Sequence, residues 1–342
     1  MKIIPSSGRN QFLTKVSISL IVVALVAGIV SCGPSPAPNQ YNLTLAVNPT
    51  GSGTTTYLIG ASPYAKDTLV DIQATALGSY QFVKWTAPAG TFVDPNAATT
   101  KFKIPAQDVT ATAHFVGPLD HRKSYAVDSE TAPYIGEVVY LEDEFGAVTA
   151  TVGQATGFSN PAEKWHSGNL TQIWNPDHHL TPYSITCEEE PHTWSVQVHN
   201  QFGTQDLIVW GPVAMTIPTQ MVEPGGHEPP VGFDHFLHYY VLQGPLINET
   251  VGLNDQFGDD EQINVYKPYL LSNPIRKTHG SNVTEIWNPE AYLVFYSIEI
   301  EGEYFEMEIQ VVNQFGEQTL DVYGPTGLIG VPSDMLHYEP IS

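Results

Sequence analysis

Basic residues are scarce in this chain of 342 residues: 13 Lys and Arg stand against 36 Asp and Glu, a formal net charge of −23. That balance argues against nucleic acid or an anionic membrane surface as partner, since both repel like charge. Cysteine is scarcer still, with only Cys32 and Cys187, so no disulfide framework is expected. The chain also lacks H-E-x-x-H, Cys/His zinc spacing, G-x-S-x-G, an S-x-x-K set and a P-loop. Acids are plentiful, but no pair is singled out for glycoside cleavage. The expectation is a protein that is not an enzyme and holds no cofactor.

The N-terminus carries an address. Lys2, Arg9 and Lys15 precede an uncharged apolar run, 16–30, too short for a spanning helix of about 20 residues. "IVSC" follows and resembles a bacterial lipobox, which implies cleavage before Cys32 and lipidation of its thiol. Residues 1–31 are then a signal peptide. Cys32 with the proline-rich "GPSPAPNQ" forms an anchor and tether, 32–40. The mature chain would be extracytoplasmic and bacterial, held to the cell membrane or outer membrane by lipid. With Cys32 acylated, Cys187 has no partner for a disulfide.

Residues 41–116 alternate in short β-like stretches with Gly and Pro between them. Tyr80, Phe82 and Trp85 lie on one stretch and suit a small core. "NPTGSGT", "GSYQFVKW" and "VTATAHF" resemble a divergent internalin-type B-repeat. The resemblance implies a stalk or adhesion module.

Beyond 116 the chain repeats. "SNP" at 159–161, "IWNP" at 173–176, "YSI" at 183–185 and "NQFG" at 200–203 all recur 113 residues later. Asp120-His121 returns as Asp234-His235 after 114 residues. The copies are read as 117–229 and 230–342. Each copy is itself double, because "DEFG" and "DQFG" precede "NQFG" by 57 or 58 residues and a tyrosine-centred strand precedes each phrase.

The phrase reads as a hairpin corner. Before it, Phe305, Met307, Ile309 and Val311 alternate with Glu306, Glu308 and Gln310, a half-buried strand. Asp143, Asn200, Asp255 and Asn313 open the turns, and Gly146, Gly203, Gly258 and Gly316 close them in fourth place, as a type I turn favours. Phe145, Phe202, Phe257 and Phe315 are expected to fold back onto the core. A calcium site is the competing reading for the acidic turns, including Glu142, Asp259, Asp260 and Glu261. Against it, the acids are not matched between copies and no D-x-[DN]-x-[DN]-G loop exists.

The histidines do not cluster by spacing, and His178-His179 become Ala291-Tyr292 in the second copy. The recurring Asp-His pairs suit local capping and strand entry. Cys187 matches Ile300 and reads as a small buried residue. The candidate ligand-binding residues are Trp174 and Trp287, in "IWNP", and Trp210 with its counterpart Tyr323. The first pair has the alternative task of pinning the connection between half-units. The second lies opposite the inward Leu207 and Val209.

"DH…Y", "DQFG", "SNP" and "NQFG" together resemble an uncharacterised bacterial extracellular domain that has "CNP" where this chain has Ser159-Asn160-Pro161 and Ser272-Asn273-Pro274. The resemblance implies an exported β domain and no activity. The expected fold is all-β: a small β module, then two tandem β-sandwich- or barrel-like domains, each of two half-units. The expected function is surface display, adhesion or structure, with envelope or extracellular polysaccharide or another surface protein as partner. A calcium-dependent binding or assembly protein and an exported hydrolase are the competing readings.

Overall fold

The computed structural model describes residues 40–222, 232–299, 305–324 and 326–341, without the side chains of 259–261. The signal segment, Cys32, the tether up to Asn39 and Ile300 lie outside the described residues. So do the side chains of the acids at 259–261. Residues 39–342 form one compact unit. Among the described residues every regular element is a strand, as the alternating sequence predicts.

The N-terminal module puts two sheets on one core. Leu43–Asn48 runs parallel to Val109–Val116, which pairs on its other side with Gln81–Thr86. Gly53–Tyr57, Leu69–Ala76, Thr99–Lys103 and Thr91–Phe92 make the second sheet. Leu43, Ile72, Trp85, Phe102, Ala111 and Phe115 meet between them. Trp85 is 2% exposed and belongs to this core.

Both copies beyond the module are β throughout, and their strands interleave in one sheet of 16. His121–Val127 pairs with Gly157–His166 of its own copy, but also with Gly316–Gly324 and Leu328–Ile341 of the other. Conversely, His235–Gln243 lies between Gly258–His279 of its own copy and Gly203–Met221 of the first. His192–Asn200 pairs with Leu328–Ile341 along most of its length. The arrangement follows from burial. Strands His192–Asn200, Phe305–Asn313 and Gly316–Gly324 each show one apolar face, and the alternation places Val196, Val198, Ile309, Val311, Leu320 and Val322 in one core shared by the copies.

Candidate functional site

The four phrases are two-residue hairpin corners. Asp143 pairs with Gly146, Asn200 with Gly203, Asp255 with Gly258 and Asn313 with Gly316. Positive φ occurs only at the closing glycines, at 136°, 90°, 144° and 93°, so the turns are of the type I kind with a left-handed glycine. In each, the side-chain oxygen of the first residue accepts the phenylalanine N–H, at 2.9–3.0 Å.

The other end of that side chain reaches across to the opposite copy. Tyr239 donates its hydroxyl to Asp143 at 2.9 Å, and Tyr125 donates to Asp255 at 2.7 Å. Asn200 donates to Tyr296 Oη at 2.7 Å, and Asn313 donates to Tyr183 Oη at 2.8 Å. The phenylalanine of each phrase packs edge-on against that same tyrosine, with centroids 4.9, 5.0, 5.1 and 5.3 Å apart. A phrase is therefore a clasp on a tyrosine of the other copy. One net hydrogen bond and one edge-on ring pair make each clasp worth about 1–3 kcal/mol.

The alternation of Asp and Asn has a chemical cause. At Asp143 and Asp255 a second donor converges on the same oxygen: Asn273 Nδ2 and Asn160 Nδ2, each at 2.9 Å. Two donors require an acceptor-only carboxylate. Those asparagines are the centre of the repeated "SNP". In the other half-units Tyr183 gives its proton to Gln318 and Tyr296 bonds to Gln205, so the turn residue must donate, and it is Asn. Burial drives the Asp143 carboxyl up to about 6 and the Tyr183 and Tyr296 hydroxyls up to about 12.

Asp120 and Asp234 hold the "IWNP" connections. Asp120 accepts the N–H groups of Trp174 and Asn175 at 2.7 and 2.9 Å, and Asp234 those of Trp287 and Asn288 at 2.6 and 3.0 Å. The paired histidines bond to the glutamine of "NQFG": His121 to Gln201 at 3.2 Å and His235 to Gln314 at 3.1 Å. Every recurring polar motif thus has a hydrogen-bonding task. Among the described residues, no group of three or more His, Cys, Asp or Glu is placed to hold a metal.

Trp174 and Trp287 face the N-terminal module. Tyr80 lies edge-on to Trp174 at 5.7 Å and donates to its carbonyl at 3.2 Å, while the Lys84 ammonium sits 5.4 Å from the Trp287 ring centre. Both rings come from equivalent loops, and both contacts are made to the one stretch 80–84.

Trp210 lies elsewhere. Its ring is parallel to that of Tyr240, with 5° between planes and 6.5 Å between centroids, and Tyr269 meets Tyr240 edge-on at 5.7 Å. Tyr240 and Tyr269 are 39% and 41% exposed. They stand at a cavity of about 270 Å³ between the copies, whose wall includes Tyr125, Phe158, Ala214, His238 and Phe295. Ser159 Oγ in that wall is buried and has no hydrogen-bond partner among the described residues. Ala126 stands opposite Tyr323 where Tyr240 stands opposite Trp210, and the Tyr323 hydroxyl donates to Asp128 at 3.4 Å. The aromatic platform is therefore built on one side only. Sequence parity pointed Trp210 outward, but Tyr240 and Tyr269 were missed because they become its neighbours only through pairing between copies.

Cys187 is half-buried, and burial raises its thiol to about 11, so it stays protonated. His238 bonds to Ser272 Oγ through Nδ1 at 2.6 Å and to Thr216 through Nε2. Ser272, a hydroxyl, occupies the Nδ1 place that a carboxylate takes when it orients a catalytic base.

Buried histidines govern the response to acid. His121, His178, His179 and His235 are pushed down to about 3 and His238 to about 4, all by burial first. Their contribution to stability is complete above the unfolded value of 6.5 and is lost as pH falls toward those folded values. Burial has the opposite sense at Asp143 and Asp234, raised to about 6, at Glu144, raised to about 7, and at Asp120. Those four contribute most below their unfolded values and lose it as pH rises through the folded ones. At pH 5 the five histidines outnumber the four carboxyls, so unfolding takes up protons and stability falls as pH falls. The urea midpoint should fall from pH 7 to pH 5, and His121→Gln should flatten the slope. A midpoint that rises toward pH 5 would contradict this assignment.

A repeat of unknown function (DUF7450) matches residues 97–209 and again residues 179–328, and a divergent InlB B-repeat domain matches residues 43–117. No curated protein and no solved structure matches the chain. The N-terminal match suggests a surface-associated role.

Proposed function

The chain belongs to the family of the DUF7450 repeat, and we propose that it is a non-catalytic surface protein that binds polysaccharide on the Trp210–Tyr240–Tyr269 face. One observation carries this reading: Trp210 lies parallel to Tyr240, and the partly exposed Tyr240 and Tyr269 line a cavity. Aromatic faces of this kind stack on the C–H faces of sugar rings, while the hydroxyls of Ser124, Thr156 and Tyr240 offer donors and acceptors beside them. Net negative charge favours a neutral glycan over an acidic one. The module and tether would carry this face away from the membrane, with Cys32 as the lipid attachment. Incorporation of labelled fatty acid that survives Cys32→Ser would remove that anchor from the proposal.

The test is retention of the purified chain by insoluble envelope and extracellular polysaccharides. Trp210→Ala and Tyr240→Ala should each reduce retention about two- to tenfold, as loss of about 0.5–1.5 kcal/mol of ring contact requires. Trp174→Ala and Trp287→Ala should leave retention intact. Equal retention of all four variants and the parent would refute the platform.

A further inference from the structure

A second site lies where the two copies and the N-terminal module meet, and it is built around one buried cation. Arg122 is 0% exposed. Its Nη1 donates to the carbonyl of His178, and its guanidinium lies 4.9 Å from the ring centre of Phe233. Among the described residues, Nε and Nη2 have no hydrogen-bond partner. Those two groups share one edge of the guanidinium plane, and their N–H bonds run parallel. That edge is the one a carboxylate takes with both oxygens.

The setting is a cavity of about 150 Å³. Arg122, Asn175, His178 and Asp234 line it from the repeats, and Ser79 and Gln81 close it from the N-terminal module. Asp234 and the nearby Asp120 already accept the turn amides of "IWNP", and among the described residues no carboxylate lies within ion-pair distance of Arg122. The positions related to Arg122 and His178 in the second copy are Phe236 and Ala291, so the cation is present once and the cavity can take one ligand. A buried cation with an unpaired bidentate edge is costly unless an acceptor meets it. We propose that this cavity binds a small carboxylate-bearing molecule, held on the Nε–Nη2 edge of Arg122. The inference is independent of the glycan platform, and its ligand would touch both the module and the repeats.

Arginine side-chain resonances test it on the unaltered full chain. The chain has three arginines, Arg9, Arg122 and Arg276, which makes the Nε–H region simple. Acetate, glycine and succinate are titrated in turn at constant ionic strength, with sulfate and chloride as comparators. A saturable shift of the Arg122 Nε–H signal with at least one carboxylate is expected. Arg276 should not move, because its Nε is already taken by Glu285 at 3.1–3.2 Å. No shift with any carboxylate would overturn the proposal. A shift with sulfate but not with carboxylates would overturn the ligand class.

Discussion

Residues 117–229 expressed alone should be unfolded as a monomer and should fold only as they dimerise, so that their melting temperature rises with concentration. In isolation Asp143 and Asn200 lose Tyr239 and Tyr296, while Tyr125 and Tyr183 lose Asp255 and Asn313. Each stranded buried polar group costs about 1–3 kcal/mol, against about 5–15 kcal/mol of total stability for a domain. Strand His121–Val127 would also lose its neighbours from the second copy, exposing a core that the copies share. A dimer can restore all of this, because Asp143 would find the Tyr125 and Asn160 of another chain, and Asn200 would find Tyr183. Adding residues 230–342 in trans should raise the melting temperature further, as any partner that binds only the folded form does. A cooperatively melting monomer whose midpoint ignores concentration would show that a copy is self-sufficient.

Tyr296→Ala should cost about 3–5 kcal/mol as a large buried ring lost, and somewhat more because Asn200 and Gln205 are left without their partner. Tyr296→Phe keeps the ring contact with Phe202 and removes only the hydroxyl, so about 1–3 kcal/mol is expected. Asn313→Asp separates the two turn chemistries. The carboxylate could still accept from the Phe315 N–H, but it could no longer donate to Tyr183, and its charge would be buried. A loss of about 3–5 kcal/mol follows at pH 7, shrinking as pH falls and the acid takes up a proton. Urea unfolding of these variants supplies the numbers. Asn313→Asp as stable as the parent at pH 7 would show that the Asp/Asn alternation has another cause.

The hairpins were legible because their signal is local. An Asx residue, a phenylalanine and a fourth-place glycine specify the turn whatever surrounds it. The tyrosine-centred strands were equally visible. That each tyrosine serves a phrase of the opposite copy was not, since the pairing exists only through contacts 96 to 130 residues apart. One stronger signal was available: Asp-His and "WNP" keep a separation of about 54 residues in both copies, as a capping aspartate and its turn must. Trp174 and Trp287 read as ligand or pin residues because their neighbours, Tyr80 and Lys84, belong to a module with its own period. Arg122 gave little warning, although a base opposite an apolar counterpart, Phe236, in a chain so poor in bases was the one available sign.

With four clasps crossing between them, the two copies are expected to unfold as one body. Deuterium exchange of Tyr296→Phe beside the parent, under conditions where global opening carries the exchange, tests it most directly. Tyr296 is in the second copy, and strand Gly146–Ala155 of the first does not pair with the strand that holds it, Tyr292–Glu299. The clasp account predicts that protection falls by the same factor in Gly146–Ala155 and in Phe305–Asn313. Loss confined to the second copy, with Gly146–Ala155 as protected as in the parent, would contradict it.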